Sequence, residues 1–154
     1  MTEIKKYGDS ILRKKTKTVE NVDDEIRKLI GFLVQAMYEA NGVGLAANQI
    51  GLDLNMAVVD AGRGLKVLIN PKIIEAHGQV IDEEGCLSVP GVFFKIKRPE
   101  SIIVEAQDRF GNQIKIKAQG LEARAICHEV DHLNGKLILD RIGLWQRLKY
   151  KLGL

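Results

Sequence analysis

Two histidines spaced four residues apart mark the part of this chain best suited to chemistry. His128 and His132 enclose Glu129 in the pattern H-E-x-x-H. On an α-helix, side chains four residues apart lie on nearly the same face, so both histidines can bind one metal ion. Glu129 lies beside them as a candidate proton carrier. The pattern is typical of metal-assisted hydrolysis, but the third ligand and the walls of the site must decide the substrate.

The third ligand does not follow the motif in the chain. Hydrolytic zinc sites typically use three protein ligands and leave a fourth position for water. After His132 there is no further histidine or glutamate, and Asp140 is the only carboxylate side chain. Asp140 lies beyond the expected end of the helix, which disfavours it. The remaining histidine, His77, lies in a turn-like Ala-His-Gly-Gln context and is interpreted as a solvated loop residue.

Cys86 is the better candidate for the third ligand. A free cysteine is more often a buried structural thiol, but the missing downstream ligand shifts the balance towards Cys86. A Cys-His-His set suits zinc or ferrous iron. The other cysteine, Cys127, adjoins His128 and therefore points about 100° away around the helix. We expect Cys127 to be a small core residue.

Composition predicts one ordinary globular domain, residues 1–154. The chain is 45% hydrophobic and 28% charged, with a net charge of +3, too small to indicate DNA binding. No apolar run is long enough to cross a bilayer, so we expect no membrane association. The first residues do not resemble a signal peptide, and two cysteines cannot form a disulfide framework. We therefore expect a cytoplasmic protein with reduced thiols.

Three segments have the apolar periodicity of helices. The first runs from Asn21 to Asn41, with Asn21 as its N-cap. The second runs from about Leu121 to Leu133 and ends at Asn134-Gly135, a plausible C-cap pair. The third is a short basic amphipathic helix within residues 141–152, expected to pack through apolar side chains, namely Leu144, Trp145 and Leu148. In the second helix, Leu121 and Ala125 continue the histidine stripe and are expected to floor a pocket beside the metal.

Short β-type runs occupy much of the rest. They cover Met56–Val59, Val67–Asn70 and Val80–Ile81. A hairpin is predicted from residues 101–108 and 113–118, which flank the turn-like sequence Arg-Phe-Gly-Asn. The apolar segment from Leu45 to Gly51 shows no clean periodicity and carries two adjacent amides.

Three segments carry a resemblance to a known family. They read GVGLAANQIG over residues 42–51, EGCLSVP over 84–90 and HEVDHLNG over 128–135. Together they resemble the three signature motifs of the peptide deformylases, and residues 8–13 resemble the N-terminal segment of that family. The resemblance spans nearly the whole chain. It implies an enzyme that removes the N-formyl group from the initiator methionine of newly made bacterial-type polypeptides.

The resemblance also implies a fold and a set of site residues. The fold class is α+β, with antiparallel sheets surrounding the histidine helix, an N-terminal helix and a C-terminal helix. The metal would lie on Cys86, His128 and His132, with Glu129 as acid and base. Family members similar to this chain work with Fe²⁺ in cells, and with Ni²⁺, Co²⁺ or, weakly, Zn²⁺. The ligand set alone does not decide among these metals.

The same resemblance implies how the substrate is held. Gln49 and the backbone N–H of Leu87 would face the carbonyl oxygen, and Gly44 would contact the substrate through its backbone. An apolar pocket of Val43, Leu121 and Ala125 suits an unbranched methionine side chain, although these residues could equally be plain core. The partner would be an N-formylmethionyl nascent peptide.

Several positions depart from the family pattern. Asn48 stands where proline or threonine is common, and Cys127 where glutamine is common. Neither position is a metal ligand in the family pattern. The departures therefore concern the rigidity of the loop at Asn48 and the packing of the helix at Cys127. Phe93 and its neighbours occupy a stretch where many members carry an arginine, so an apolar wall would replace it. Arg124 and Asp131 would serve either the helix surface or the support of the ligands.

Two other functions compete with a deformylase. An H-E-x-x-H metallo-endopeptidase fits the helix but lacks the usual downstream ligand. A non-catalytic binding module fits poorly, because a complete set of metal and acid–base residues is present. In some deformylases the C-terminal helix docks on the ribosome, and here residues 141–154 would make a transient contact with rRNA phosphates.

Overall fold

The computed structural model describes residues 2–153, so both ends of the predicted domain, residues 1 and 154, lie outside it. Its helices are α1 (Asp24–Glu39), α2 (Gly120–Leu133) and α3 (Leu144–Lys151). Its strands are β1 (Gly44–Ala46), β2 (Met56–Val59), β3 (Lys66–His77), β4 (Val80–Cys86), β5 (Val89–Arg98), β6 (Ser101–Gln107) and β7 (Gln113–Gln119). Short 3₁₀ helices cover Ser10–Arg13, Ala47–Ile50 and Ile138–Arg141.

Helix α1 begins later than the sequence predicted. Its N-cap is Asp23, whose side chain accepts a hydrogen bond from the Ile26 N–H at 2.9 Å. Asn21 is therefore not the cap, because the aspartate two residues later satisfies the free N–H groups of the first turn. The apolar stripe of α1 packs on β1 to β3 in a buried cluster that includes Leu33, Met37 and Ile69.

The strands form two antiparallel sheets. The larger has the order β1-β2-β3-β6-β7, and β4 pairs only with β5. The predicted hairpin is present as β6 and β7, closed by Asp108, whose carboxylate accepts from two backbone N–H groups of the turn. The second sheet was largely missed. Residues 80–81 are only the start of β4, and β5 contains a Pro-Gly pair and alternating lysines, which gives a poor strand signal.

Helix α2 lies at the centre of the molecule. Eleven of its 14 residues are buried, including most of its polar side chains. On one side, Ala123, Ile126 and Cys127 pack against the five-stranded sheet in a common cluster. On another side its polar residues contact β4 and β5. The predicted C-terminus is confirmed, since Asn134 caps α2 and Gly135 adopts φ +75°. The α+β class around a central histidine helix is thus confirmed.

Helix α3 is present, but the expected packing of its apolar residues is wrong. Leu144 and Trp145 are 64% and 77% exposed, and no α3 residue is buried. The contact is made instead by Tyr150, whose ring meets those of Tyr7 and Phe94 edge to face. The opposite face of this short helix therefore stays in solvent.

Among the helices within residues 2–153, none combines the length and the apolar character that crossing a membrane requires.

Candidate metal and active site

Three side chains that could bind one metal ion converge beside α2. Cys86 ends β4, and His128 and His132 project from α2. The Cys86 Sγ lies 3.2 Å from the His132 Nε2, which lies 3.1 Å from the His128 Nε2. Ligands of one tetrahedral zinc ion would be separated by about 3.3–3.6 Å, given the usual Zn–N and Zn–S bond lengths. The donor set and its spacing therefore fit a single divalent ion.

The other candidate ligands lie elsewhere. His77 is not in a loop as predicted but ends β3, where its exposed ring contacts Glu75. Asp140 accepts hydrogen bonds from Arg13 and the Leu137 N–H. Cys127, on the side of α2 that packs against the five-stranded sheet, is buried in the core, as predicted. Burial raises the pKa of its thiol to about 11. Within residues 2–153, Cys86, His128 and His132 form the one metal-capable cluster.

Glu84 orients the first histidine, a role that the sequence interpretation missed. Its Oε2 lies 2.7 Å from the His128 Nδ1, which leaves Nε2 facing Cys86 and His132. Burial alone would raise the pKa of Glu84, but hydrogen bonds from His128 and Arg98 outweigh it and hold the pKa far below its usual range. Such a carboxylate fixes the ring orientation of a metal-binding histidine. No sequence signal pointed to Glu84, because β4 lacks a clear β pattern and its pairing with β5 is irregular between Glu84 and Cys86.

Arg124 and Asp131 lie in the interior behind the histidines and not on the helix surface. Arg124 donates to Glu84 at 3.1 Å and to the Ile96 carbonyl at 2.9 Å. Asp131 accepts from Arg98 at 2.6 Å. Both residues are buried. The polar residues of α2 therefore face a second layer of charged groups behind the histidines.

Glu129 lies in the cavity beside the cluster and is 3% exposed. Burial, the largest influence on its carboxyl group, raises its pKa to about 7. Its Oε1 has no hydrogen-bond partner among the described residues. A carboxyl group with a pKa near neutrality can both accept and return a proton.

The side chain of Gln49 is buried and hydrogen-bonded, so Gln49 is not a surface amide in a turn. It is 2% exposed in the short 3₁₀ helix after β1. Its Oε1 accepts from the Ala46 N–H at 3.0 Å, and its Nε2 donates to the Ser88 hydroxyl at 3.0 Å. The same Nε2 lies 3.9 Å from the Cys86 Sγ, so the amide N–H group faces the cluster. Ser88 was not predicted, since a lone serine gives no sequence signal.

A cavity of about 640 Å³ opens over these groups. The remaining predicted substrate residues all line it, namely Val43, Gly44, Leu87, Leu121 and Ala125. Val43 and Leu121 are 38% and 58% exposed, so they form an open apolar wall rather than plain core. Phe93 joins this wall, and its ring covers Gly85, where a Cβ would lie 2.7 Å from the ring.

Asn48 links the Gln49 segment to α2. It is fully buried, and its Nδ2 donates to the His132 carbonyl at 2.7 Å. A proline at this position has no side-chain donor. Asn48 therefore ties the 3₁₀ helix directly to the end of the histidine-bearing helix.

Gly44 leaves the space that the Glu129 carboxylate occupies. A Cβ at Gly44 would lie 2.6 Å from Oε2 and 3.0 Å from Cδ of Glu129. We predict that Gly44→Ala displaces this carboxylate and lowers kcat/KM on the order of 10²-fold, as small misplacements of catalytic groups do. Steady-state kinetics and circular dichroism would measure activity and folding. Gly31→Ala, on open space in α1, is the control expected to leave kinetics unchanged. Equal activity of both variants would contradict the prediction.

Comparisons with known proteins agree on one family. The family model described as polypeptide deformylase matches residues 1–147. The peptide deformylase of Caldicellulosiruptor bescii is 48% identical over 142 residues, covering 92% of this chain and 86% of that protein. The crystal structure of a Legionella pneumophila peptide deformylase matches with a TM-score of 0.93 and 41% identity, covering 99% and 92% of the two chains. One from Synechococcus elongatus, solved with actinonin, gives a TM-score of 0.93 and 42% identity, covering 99% and 84%.

Proposed function

The chain belongs to the peptide deformylase family, whose enzymes remove the formyl group from an N-terminal methionine, and we propose that it does so through one divalent metal ion held by Cys86, His128 and His132. One observation carries this proposal. The ligand atoms of Cys86, His128 and His132 lie within 4.8 Å of one another, and Cys86 and His128 line one cavity together with Glu129 and Gln49. In this proposal, residues 1–154 form one catalytic domain.

The substrate is an N-formylmethionyl peptide. We assign its methionine side chain to the apolar wall of Val43, Leu121 and Ala125. Strand β1 is the outer strand of the five-stranded sheet, so the backbone of Gly44 on its free edge lies beside the cavity. An extended peptide can pair with such an edge through main-chain hydrogen bonds. In this proposal, Gly44 pairs with the substrate backbone, and its lack of a side chain leaves room for the Glu129 carboxylate.

The chemistry is hydrolysis of a formamide. A bound divalent ion acidifies water and polarises a carbonyl group at neutral pH. Glu129 takes the proton from the attacking water and passes it to the departing methionine amine. The Gln49 amide and the Leu87 N–H donate hydrogen bonds to the carbonyl oxygen as it gains negative charge. The products are formate and a peptide with a free N-terminal methionine.

We propose Fe²⁺ as the metal in cells, with Zn²⁺, Ni²⁺ or Co²⁺ able to replace it in purified protein. A thiolate with two imidazoles is a set that binds each of these ions. Cys86 is only half-buried at the cavity wall, so its sulfur is open to oxidation. Metal content should therefore be measured under anaerobic conditions.

The test is release of formate from formyl-Met-Ala-Ser by anaerobically purified protein loaded with Fe²⁺. We expect catalytic formate release, with little reaction on acetyl-Met-Ala-Ser. Cleavage of internal peptide bonds without formate release would instead establish an endopeptidase. No contact among the described residues favours that alternative.

We also propose a cytoplasmic enzyme whose C-terminal segment, residues 141–154, makes a transient contact with the ribosome. The support is that α3 is exposed and carries Lys149 and Lys151 in its last turn, where they can meet rRNA phosphates. Deleting residues 144–154, which spares Arg141, is expected to abolish co-sedimentation with ribosomes at low salt. Unchanged co-sedimentation would exclude this contact.

A further inference from the structure

Five charged or polar side chains connect the start of the C-terminal segment to a metal ligand. Arg141 donates two hydrogen bonds to Asp131, at 2.7 and 2.9 Å. Arg98 donates to Asp131 at 2.6 Å and to Glu84 at 2.7 and 3.1 Å. Glu84 in turn lies 2.7 Å from the His128 Nδ1. We call this series, in the order Arg141, Asp131, Arg98, Glu84 and His128, the ion-pair chain.

The interior members of the ion-pair chain are held away from water. The side chains of Arg98 and Glu84 are 4% and 7% exposed, and that of Asp131 is 11% exposed. Charged groups buried to this extent need partners, and removing one partner leaves the other uncompensated. Each member is therefore constrained by its neighbours on both sides, so a change at one end can reach the other.

Arg141 closes the outer end of the chain. It belongs to the short 3₁₀ helix Ile138–Arg141, outside the cavity, and its side chain is 41% exposed. It supplies two of the three side-chain hydrogen bonds that Asp131 accepts. Without Arg141, Asp131 would retain only Arg98, and the two could shift together. Because Arg98 also holds Glu84, such a shift would loosen the carboxylate that orients His128.

We propose that Arg141 is a positioning residue for the metal site, which acts on the His128 ring through Asp131, Arg98 and Glu84. The inference rests on the proposed metal site. In this inference, Arg141 influences the affinity of the site for metal although it lies outside the cavity. The competing explanation is that Arg141 only anchors the C-terminal segment to α2.

A matched pair of arginines separates the two explanations. Arg13 binds Asp140, the neighbour of Arg141 in the same 3₁₀ helix, but takes no part in the ion-pair chain. Arg141→Gln removes the contact from that helix to Asp131 of α2, whereas Arg13→Gln removes the contact that Asp140 of the same helix makes with Arg13. Only Arg141→Gln breaks the route to His128.

Two measurements report on the ligand besides turnover. In metal-free protein, the ¹⁵N chemical shifts of the His128 ring report its orientation and tautomer. Affinity for Co²⁺, measured by competition with a chelator, reports the metal site. We expect Arg141→Gln to move the His128 signals and weaken Co²⁺ binding about three- to tenfold, in the range typical of substitutions along coupled networks. Arg13→Gln should change neither.

A double-variant cycle tests whether Arg141 acts through Asp131. Asp131→Asn alone should weaken Co²⁺ binding at least as much as Arg141→Gln does. The double variant should bind Co²⁺ as tightly as Asp131→Asn alone, because both substitutions break the same route. The proposal is overturned if Arg141→Gln leaves the His128 signals and Co²⁺ affinity unchanged, if it matches Arg13→Gln, or if the two losses multiply. Failure of the proposed function is separate, since it appears as parent protein that releases no formate.

Discussion

Replacing Glu129 by alanine or glutamine is expected to leave the metal in place and nearly abolish turnover. The carboxylate is not one of the three converging ligands, but it faces the same cavity from the same helix. Its buried environment raises its pKa to about 7, which suits a group that takes up a proton and then returns it. Loss of such an acid–base group costs about 10²–10⁴-fold in rate. Formate release under saturating substrate would measure kcat.

The glutamine variant separates proton transfer from packing. A glutamine side chain at this position would keep the volume and polarity of the native glutamate but could not exchange a proton in the same way. Glu122→Gln is the matched control, because Glu122 is a buried carboxylate of the same helix paired with Lys66 outside the cavity. We expect Glu122→Gln to retain activity. Normal kcat in Glu129→Gln, with one metal ion per chain, would exclude Glu129 as the acid and base.

The histidine pair could be predicted because its geometry is local. Residues four apart on a helix share a face whatever the rest of the chain does. The same argument predicted Leu121 and Ala125 beside the histidines, and both line the cavity with His128. The end of α2 was also predictable, since Asn134 and Gly135 supply the cap conformations that stop a helix.

The groups behind the ligands were not predictable in this way. Glu84 and Arg98 meet His128 and Asp131 only because β4 and β5 pair and then pack against α2. Neither strand has a clear β pattern, since charged residues occupy much of both. Of these charged residues, Glu84 and Arg98 are buried and contact His128 and Asp131, so part of what weakens the strand signal lies behind the candidate site.

The packing of α3 shows a second limit. Apolar periodicity predicted burial of Leu144 and Trp145, but it does not say whether a surface is available to cover them. In the structure, Tyr150 takes the available contact with Tyr7 and Phe94. A short terminal helix can therefore keep an amphipathic sequence while its larger apolar side chains stay in water.

Replacing Cys86 by serine is expected to weaken metal binding by more than the about 10–100-fold that loss of a supporting contact costs. The thiolate is the soft member of the ligand set, and a hydroxyl group stays protonated and binds such ions poorly. Serine is close to cysteine in size, so the fold and the cavity should persist. Metal analysis after dialysis against a weak chelator, together with circular dichroism, would separate metal loss from unfolding.

The second cysteine makes this test specific. Cys127 lies in the same protein, next to a ligand in sequence, but it is buried in the core on another side of α2. Its raised thiol pKa, about 11, keeps it protonated and uncharged at neutral pH. We therefore expect Cys127→Ser to retain one metal ion per chain while Cys86→Ser loses it. If both variants held metal equally well, Cys86 would not be a ligand, and the histidines would need a different third partner.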